Sequence, residues 1–591
     1  MKVRSPVWWF GVLALTGASC TSSPATSPAT SPDARPAVDA ADVVTDDAVT
    51  DAPDAAVTDA PDAVVADVVP DVAPDVAPDV VTPDSPDAAA FDVADAVTPD
   101  APDAASDALV FDAPDVAMRD APSLDAPSLD APSLDAPSLD APRDADVADA
   151  ADVADAGAAS VARLTAALRA AGFTVQAGTF TVADLAGCCD PLRSCFGNNP
   201  SSPYLLCNLP RAPGQTAANP IEDPSGASAA WRLRADEAVV LVGRTPPAAA
   251  YFGLTPYVFD RDYGARGRQT VFASLGDTLN HRVLATAGTP DGAAGDPFGR
   301  DTLVVATSDR GVDDRVRAAA ESAGYPRAIM NRVTFPAATG RFGLDAAADS
   351  FALLGRVALF ADAAAGAAWL SAPTLTALRV TPTSSAAPTP ATPPTDRRRG
   401  TGATEAALAA ALSRLEAAIF ARHRLLTPRA ITVNTAEVDP VACLADGSNC
   451  NGDNRDTVYP RSEFFAFPEG AASFVMVYGV NHEAAGKATY SNFSVYALRH
   501  LLGVASVTSR QLRGSAEDYL PGDPMAAQLY AWRVARRCGA TPHCVEIPSD
   551  CPGVPTLGLA NVTFRAYLEP ATRTRPLQSE LLTDRVVVLE P

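Results

Sequence analysis

The sequence predicts an α/β fold: a mixed sheet with flanking helices, in two halves that share an internal similarity, preceded by a long disordered acidic segment rich in Pro, Asp and Ala. Three observations lead there. From residue 158 onward, apolar β-branched runs alternate with runs of helical period, the pattern of layered α/β architecture. A Pro- and Thr-rich stretch with three consecutive arginines, 382–400, divides that region into 158–381 and 401–591. Residues 21–157 are built almost wholly from Asp, Ala, Pro, Val, Ser and Thr.

The acidic segment carries most of the charge. The chain has 591 residues and a formal net charge of −26. Residues 21–157 hold 32 Asp, no Glu and three Arg, a net of −29, so with Lys2 and Arg4 set aside the remaining 158–591 are left at +1. Asp-Ala-Pro-Ser-Leu repeats four times from Asp120. Proline at this density removes backbone donors, and neighbouring aspartates repel, so the segment cannot repay the entropy of ordering. Its 137 residues would reach on the order of 400 Å in polyproline II geometry. A body so close to neutral offers no electrostatic reason to expect nucleic acid as a partner.

At the N-terminus, Lys2 and Arg4 precede an apolar stretch from Val7 to Thr16, then Gly17, Ala18, Ser19 and Cys20. That order is a secretory signal, too short to span a bilayer as a helix. It resembles a bacterial lipoprotein signal, with Gly17 at the position where such signals usually carry an aliphatic residue. The resemblance implies lipidation of Cys20 and a membrane partner through that anchor. The chain is therefore expected to be exported and membrane-anchored, in the periplasm or on the cell surface. Nine further cysteines fall in local clusters, as expected for disulfides in an oxidising compartment. Cys443 and Cys450 bracket a polar turn and form the expected pair, and Cys538, Cys544 and Cys551 contain another. Nine is odd, so at least one thiol stays free or pairs between chains.

Within the body, Ser160–Ala171 has helical spacing and ends at Gly172. Strands are expected at Ala238–Gly243, Thr270–Ser274, Thr302–Thr307, Thr376–Val380, Ala430–Val433, Ser473–Val480, Asn561–Tyr567 and Arg585–Leu589. Helices are expected at Asp313–Ala323, Leu344–Phe360, Thr404–His423 and Met525–Arg537, and His500 falls on another possible helix. An internal similarity supports related halves. The run Val239–Gly243 precedes Tyr251 and Tyr257, and Phe474–Gly479 precedes Tyr490 and Tyr496, again six apart.

Most catalytic patterns are absent. Leu275–Asn280 (LGDTLN) has Thr278 where GDSL-type hydrolases carry their serine, and no His has Asp three residues before it. There is no G-x-S-x-G elbow, P-loop or G-x-G-x-x-G. His482-Glu483 begins like a zincin motif, but Gly486 occupies the second ligand position. No metal site or cofactor is evident apart from a weak calcium candidate at Asp446–Asp456, where Asn451 stands at the glycine position of an EF-hand loop.

The candidate site is the polar loop after the apolar strand Ser473–Val480, since strand ends feeding loops are where α/β folds place ligands. Lys487 is the only lysine beyond the signal in a chain that otherwise uses arginine, which suggests a need for a compact ammonium, or for one able to lose its proton. His482 could serve as a general base and Tyr490 as a proton or hydrogen-bond donor. Asn481, Arg455 and Asp456 are the candidate binding residues, the last two as an anion clamp or orienting group. Two functions compete. One is a displayed binding or interaction module with an unknown ligand. The other is an exported enzyme acting on a small polar or anionic substrate through His482, Lys487 and Tyr490.

Overall fold

The computed structural model describes residues 150–183, 195–385 and 387–591, with side chains from Gly157 onward. The signal, Cys20, the acidic segment up to residue 149, Cys188 and Cys189 lie outside the described residues.

The body is mixed α/β, with four sheets and few helices. In the first half, helix α1 (Ala150–Ala170) leads into strands β1 (Phe173–Ala177), β2 (Thr179–Val182), β3 (Tyr204–Pro210), β4 (Ala227–Ser228), β5 (Ala238–Arg244), β6 (Ala249–Asp262), β7 (Arg268–Ser274), β8 (Leu279–Asn280) and β9 (Asp301–Thr307). Helix α2 (Arg310–Ser322), β10 (Met330–Thr334), β11 (Ser350–Phe360), α3 (Ala363–Ser371) and β12 (Leu375–Pro382) complete it. The second half runs α4 (Ala409–Arg422), β13 (Thr427–Ile431), β14 (Val433–Asn434), α5 (Pro440–Asp446), β15 (Thr457–Val458), β16 (Arg461–Ser462), β17 (Phe465–Ala466), β18 (Phe474–Val480), β19 (Tyr490–Ala497) and β20 (Leu502–Thr508). It ends with α6 (Ser509–Leu512), β21 (Leu529–Ala535), β22 (Cys544–Glu546), β23 (Leu559–Tyr567) and β24 (Arg585–Glu590).

The two halves repeat one topology. A five-stranded sheet in the order β1-β12-β5-β9-β10 is matched by β13-β24-β18-β21-β22. A seven-stranded sheet with the path β2-β3-β11-β6-β7 is matched by β14-β16-β23-β19-β20. In both five-stranded sheets only the last pair is parallel, β9 with β10 and β21 with β22. Even the backbone irregularities recur: Phe272 and Leu501 have positive φ before equivalent positions, as do Leu359 and Leu568 at the ends of β11 and β23. Tyr251 and Tyr257 lie on β6 and Tyr490 and Tyr496 on β19, equivalent strands, so the six-residue spacing marks the repeat.

Each half is layered. Leu164 and Leu168 of α1 and Val312 and Val316 of α2 pack on one face of the first five-stranded sheet, against Val240, Leu303 and Val305. Fully burying each such side chain contributes roughly 1.5–3 kcal/mol. Asp309 caps α2 by accepting a hydrogen bond from the Val312 amide, a contact worth about 1 kcal/mol. The other face, through Val239, Leu241 and Val304, packs on Leu205, Phe252, Leu254 and Leu353 of the seven-stranded sheet. In the second half, Leu408, Leu412, Leu415 and Ile419 cover Phe474, Met476 and Val587. The opposite face there packs Val475, Val477 and Val586 on Phe493, Val495 and Val562.

Two expected helices are strands. Leu344–Phe360 contains β11 and Met525–Arg537 contains β21. Both are rich in Ala and Leu, good helix formers. In β11 the first nine residues are buried on both faces, and a fully buried strand shows no alternation to separate it from a helix. His500 lies in the turn between β19 and β20 rather than on a helix.

Candidate functional site

The predicted residues fall into three places. His482 follows β18 and is buried between two carboxylates: Nδ1 lies 2.7 Å from Glu405 Oε1 and Nε2 lies 3.6 Å from Asp584 Oδ2. Burial opposes its charge, but Glu405 and Asp584 outweigh it and raise the imidazole to about 10. A group held protonated that far up does not accept a proton near neutrality, so the geometry does not serve the general-base role suggested by its position in the loop. Lys487 is likewise enclosed. Its ammonium donates to Glu569 and Glu580, to Thr401 Oγ1 at 3.2 Å and to the Ala403 carbonyl at 2.8 Å. Burial works against the charge here too, and the two glutamates overcome it and raise the Lys487 pKa. The lysine therefore stays charged and ties β19's approach to the 401–405 strap, instead of offering a labile proton.

Tyr490 belongs elsewhere, with no hydrogen-bond partner in common with His482 or Lys487. Its hydroxyl accepts from Asn199 Nδ2 at 3.2 Å, its ring stacks on Tyr567 at 5.2 Å, and burial pushes its pKa up. Asn481 is a turn residue: its Nδ2 donates to the Ser509 carbonyl at 2.8 Å and its Oδ1 accepts from the Ala484 amide. The loop from Asp446 to Asp456 does not gather its carboxylates. Asp446 accepts from the Ser448 amide, Asp453 from the amide and hydroxyl of Ser274, and Asp456 from Asn280 and Tyr251. Among the described residues, no group of three or more His, Cys, Asp or Glu is placed to hold a metal ion.

Arg455 and Asp456 lead to the feature that organises the molecule. Gly197-Asn198-Asn199 in the first half and Gly452-Asp453-Asn454 in the second occupy matched loops, each followed five residues after its Asn by a tyrosine, Tyr204 and Tyr459. Each loop is received by the other half. The Gly197 amide donates to the Leu501 carbonyl at 2.9 Å, and that of Gly452 to Phe272 at 2.8 Å. The Tyr496 hydroxyl donates to the Asn198 carbonyl, and Tyr257 to that of Asp453, both at 2.7 Å. Asn199 Nδ2 donates to Tyr490; Asn454 Nδ2 donates to Tyr251 at 2.9 Å. Arg565 Nη2 reaches the Gly197 carbonyl at 3.0 Å and Arg356 Nη2 reaches Gly452 at 2.6 Å. Each of these buried arginines also lies over two tyrosine rings, Tyr459 and Tyr496 for Arg565, Tyr204 and Tyr257 for Arg356. The fit is close: a Cβ on Gly452 would sit 2.7 Å from the Phe272 ring, and one on Gly503 2.7 Å from the Asn198 carbonyl oxygen.

The two junctions differ in charge. Where the first loop has Ser201, donating to Ser506 Oγ at 2.6 Å, the second has Asp456. Asp456 is fully buried, accepts from Asn280 Nδ2 at 2.9 Å and Tyr251 at 3.1 Å, and has Arg397 at 3.9 Å. Burial raises it to about 7 against those partners. The LGDTLN stretch serves this junction: Thr278 donates to Asn454 Oδ1, Asn280 holds Asp456, and Asp277 accepts from the Arg397 amide and Arg399. Sequence reasoning missed these roles. The usable signal is the pair of matched loops, since Cys195 and Cys450 each stand two residues before the loop glycine.

Arg455 turns the other way, donating to Asp396 at 3.1 Å, and lines an open cavity of about 320 Å³. Its walls come from the 396–399 linker, the segment 435–441, the exchanged loop and Arg575. Arg399, Arg455 and Arg575 line it together with Asp396, Glu437 and Asp439, while the Asp453 carboxylate is turned onto Ser274, so the lining is balanced in charge, and Asp456 is not part of it. Arg575 pairs with Glu437 through two contacts of 2.8 and 2.6 Å. The expected anion clamp of Arg455 with Asp456 is therefore not formed.

Cys443–Cys450 and Cys538–Cys544 are disulfides, and Cys195 and Cys551 are also disulfide-bonded. Cys207 is a free buried thiol, pushed up to about 12 by desolvation and so unreactive. No protein-family model and no curated protein matches the chain. Among solved structures, the chain aligns with an uncharacterised protein from Burkholderia cenocepacia at 12% identity and a TM-score of 0.32, over 74% of this chain and 94% of the other.

Proposed function

We propose that the chain is an exported, membrane-anchored lipoprotein whose acidic stalk displays the α/β body as a binding module. In this reading Cys20 carries the lipid, the acidic segment up to α1 acts as the spacer, and a small polar ligand enters the cavity beside Arg455. The disulfides support an oxidising compartment. The order of positive, apolar and small residues before Cys20 supports the anchor. The observation that carries the binding reading is a contrast: His482, Lys487 and Tyr490 are saturated by fixed partners, while two carboxylates on the cavity wall stay open to solvent. Asp396 and Glu437 are about half exposed there, at 55% and 49%, and ligand sites characteristically combine concavity with a few such polar groups.

Fractionation of cells producing the full chain tests the anchor. The wild-type protein should partition into detergent with the membrane fraction, and Cys20→Ser should be released into the aqueous phase. A Cys20→Ser protein that stays with the membrane would rule out a lipid at this residue.

A further inference from the structure

We infer that the cavity beside Arg455 recognises a neutral polyhydroxyl ligand, a mono- or oligosaccharide; this rests on the binding-module reading above and names its ligand class. Every guanidinium on the wall already has a carboxylate: Arg575 with Glu437, Arg455 with Asp396, Arg399 with Asp277. Three arginines and three exposed acids line the space, since the Asp453 carboxylate is turned onto Ser274. An anionic ligand would have to displace Asp396 or Glu437 while facing the remaining carboxylates. A cationic ligand would meet the same obstacle from the arginines. Asp396 and Glu437 are half exposed, so parting one of these pairs costs little by itself, but an ion of either sign would still bring a like charge against the groups left on the wall.

A hydroxyl group avoids this conflict because it donates and accepts at once. Two adjacent hydroxyls can lie across a guanidinium–carboxylate pair, one donating to a free carboxylate lone pair and the other accepting from an unused N–H. The Arg575–Glu437 and Arg455–Asp396 pairs offer two such places. The rest of the wall suits the carbon face of a sugar: Val438 and Val441 are exposed apolar residues, and Tyr459 is a partly exposed aromatic. The volume of about 320 Å³ lies at the lower end of small-molecule sites, roughly 300–1,000 Å³. It holds one sugar ring, and the open mouth lets a longer chain continue outward.

The test uses the full mature chain carrying Cys20→Ser. It is screened against an array of mono- and oligosaccharides, with inorganic phosphate and glutamate as anionic competitors, and positives are followed by calorimetry. The expected result is saccharide binding that Glu437→Gln and Arg575→Gln each weaken at least tenfold, with unchanged circular dichroism, since Glu437 is half exposed. Binding of phosphate or glutamate but no saccharide would overturn the ligand class and leave the binding-module reading intact. Saccharide binding indifferent to both substitutions would move the site elsewhere and overturn the assignment. Binding of no probe would overturn both.

Discussion

Replacing Asp456 with asparagine should remove a pH dependence that the second junction builds into the protein. The carboxyl is fully buried and raised to about 7 from an ordinary value of 3.8. Between those two values the folded chain keeps a proton that the unfolded chain has lost, so stability falls as pH rises from about 4 to 7 and is flat outside that window. A shift of about three units corresponds to roughly 4 kcal/mol, an order-of-magnitude figure that burial leaves largely unscreened. Asparagine keeps the shape; its Oδ1 can accept from Asn280 and its Nδ2 can donate to Tyr251. Urea unfolding of both proteins at half-unit steps from pH 4 to 8 gives the difference in stability, in which groups common to both cancel. That difference should move in favour of Asp456→Asn by a few kcal/mol across the window. A difference that does not change with pH would mean that Arg397 holds the carboxylate charged, and the reasoning from burial would fail.

Three further outcomes follow from the same geometry. Lys487→Met leaves Glu569 and Glu580 buried without their cation and should destabilise the protein by roughly 3–5 kcal/mol, read as a fall in the urea midpoint. His482, raised to about 10 by Glu405 and Asp584, should show imidazolium carbon shifts in NMR that stay constant from pH 5 to 8.5. Its stabilising effect is complete below the ordinary value of 6.5, fades as pH rises from there to about 10 and is gone above that. Cys443→Ser with Cys450→Ser opens a short closed loop and should cost about 2.5 kcal/mol by loop entropy, measurable as a lowered melting temperature.

The layering is legible in the sequence because the five-stranded sheets are covered on both faces. Their strands, such as Ala238–Gly243 and Ser473–Val480, are continuous apolar runs bounded by turns. The outer faces of the seven-stranded sheets are harder to read, because they are buried yet polar. Arg356, Tyr257, Arg565 and Tyr496 look like surface residues in a list but meet the other half's loop. The same burial hides β11, whose Ala and Leu content mimics a helix. The repeat shows only as tyrosines spaced by six, since the loops that define it differ at every position but the glycine, one Asn and the final Tyr. The isolation of Lys487 in the composition does mark a special position. That position is a buried ion cluster, and composition alone does not separate such a cluster from an active site.

Reciprocal insertion of the 197–204 and 452–459 loops should lock the two repeats into one folding unit. A protease site placed in the exposed stretch 392–395 allows the linker to be cut in the native protein. The two fragments should then stay together through gel filtration and unfold in one urea transition. Separation of the fragments in native buffer, or two independent transitions, would contradict this.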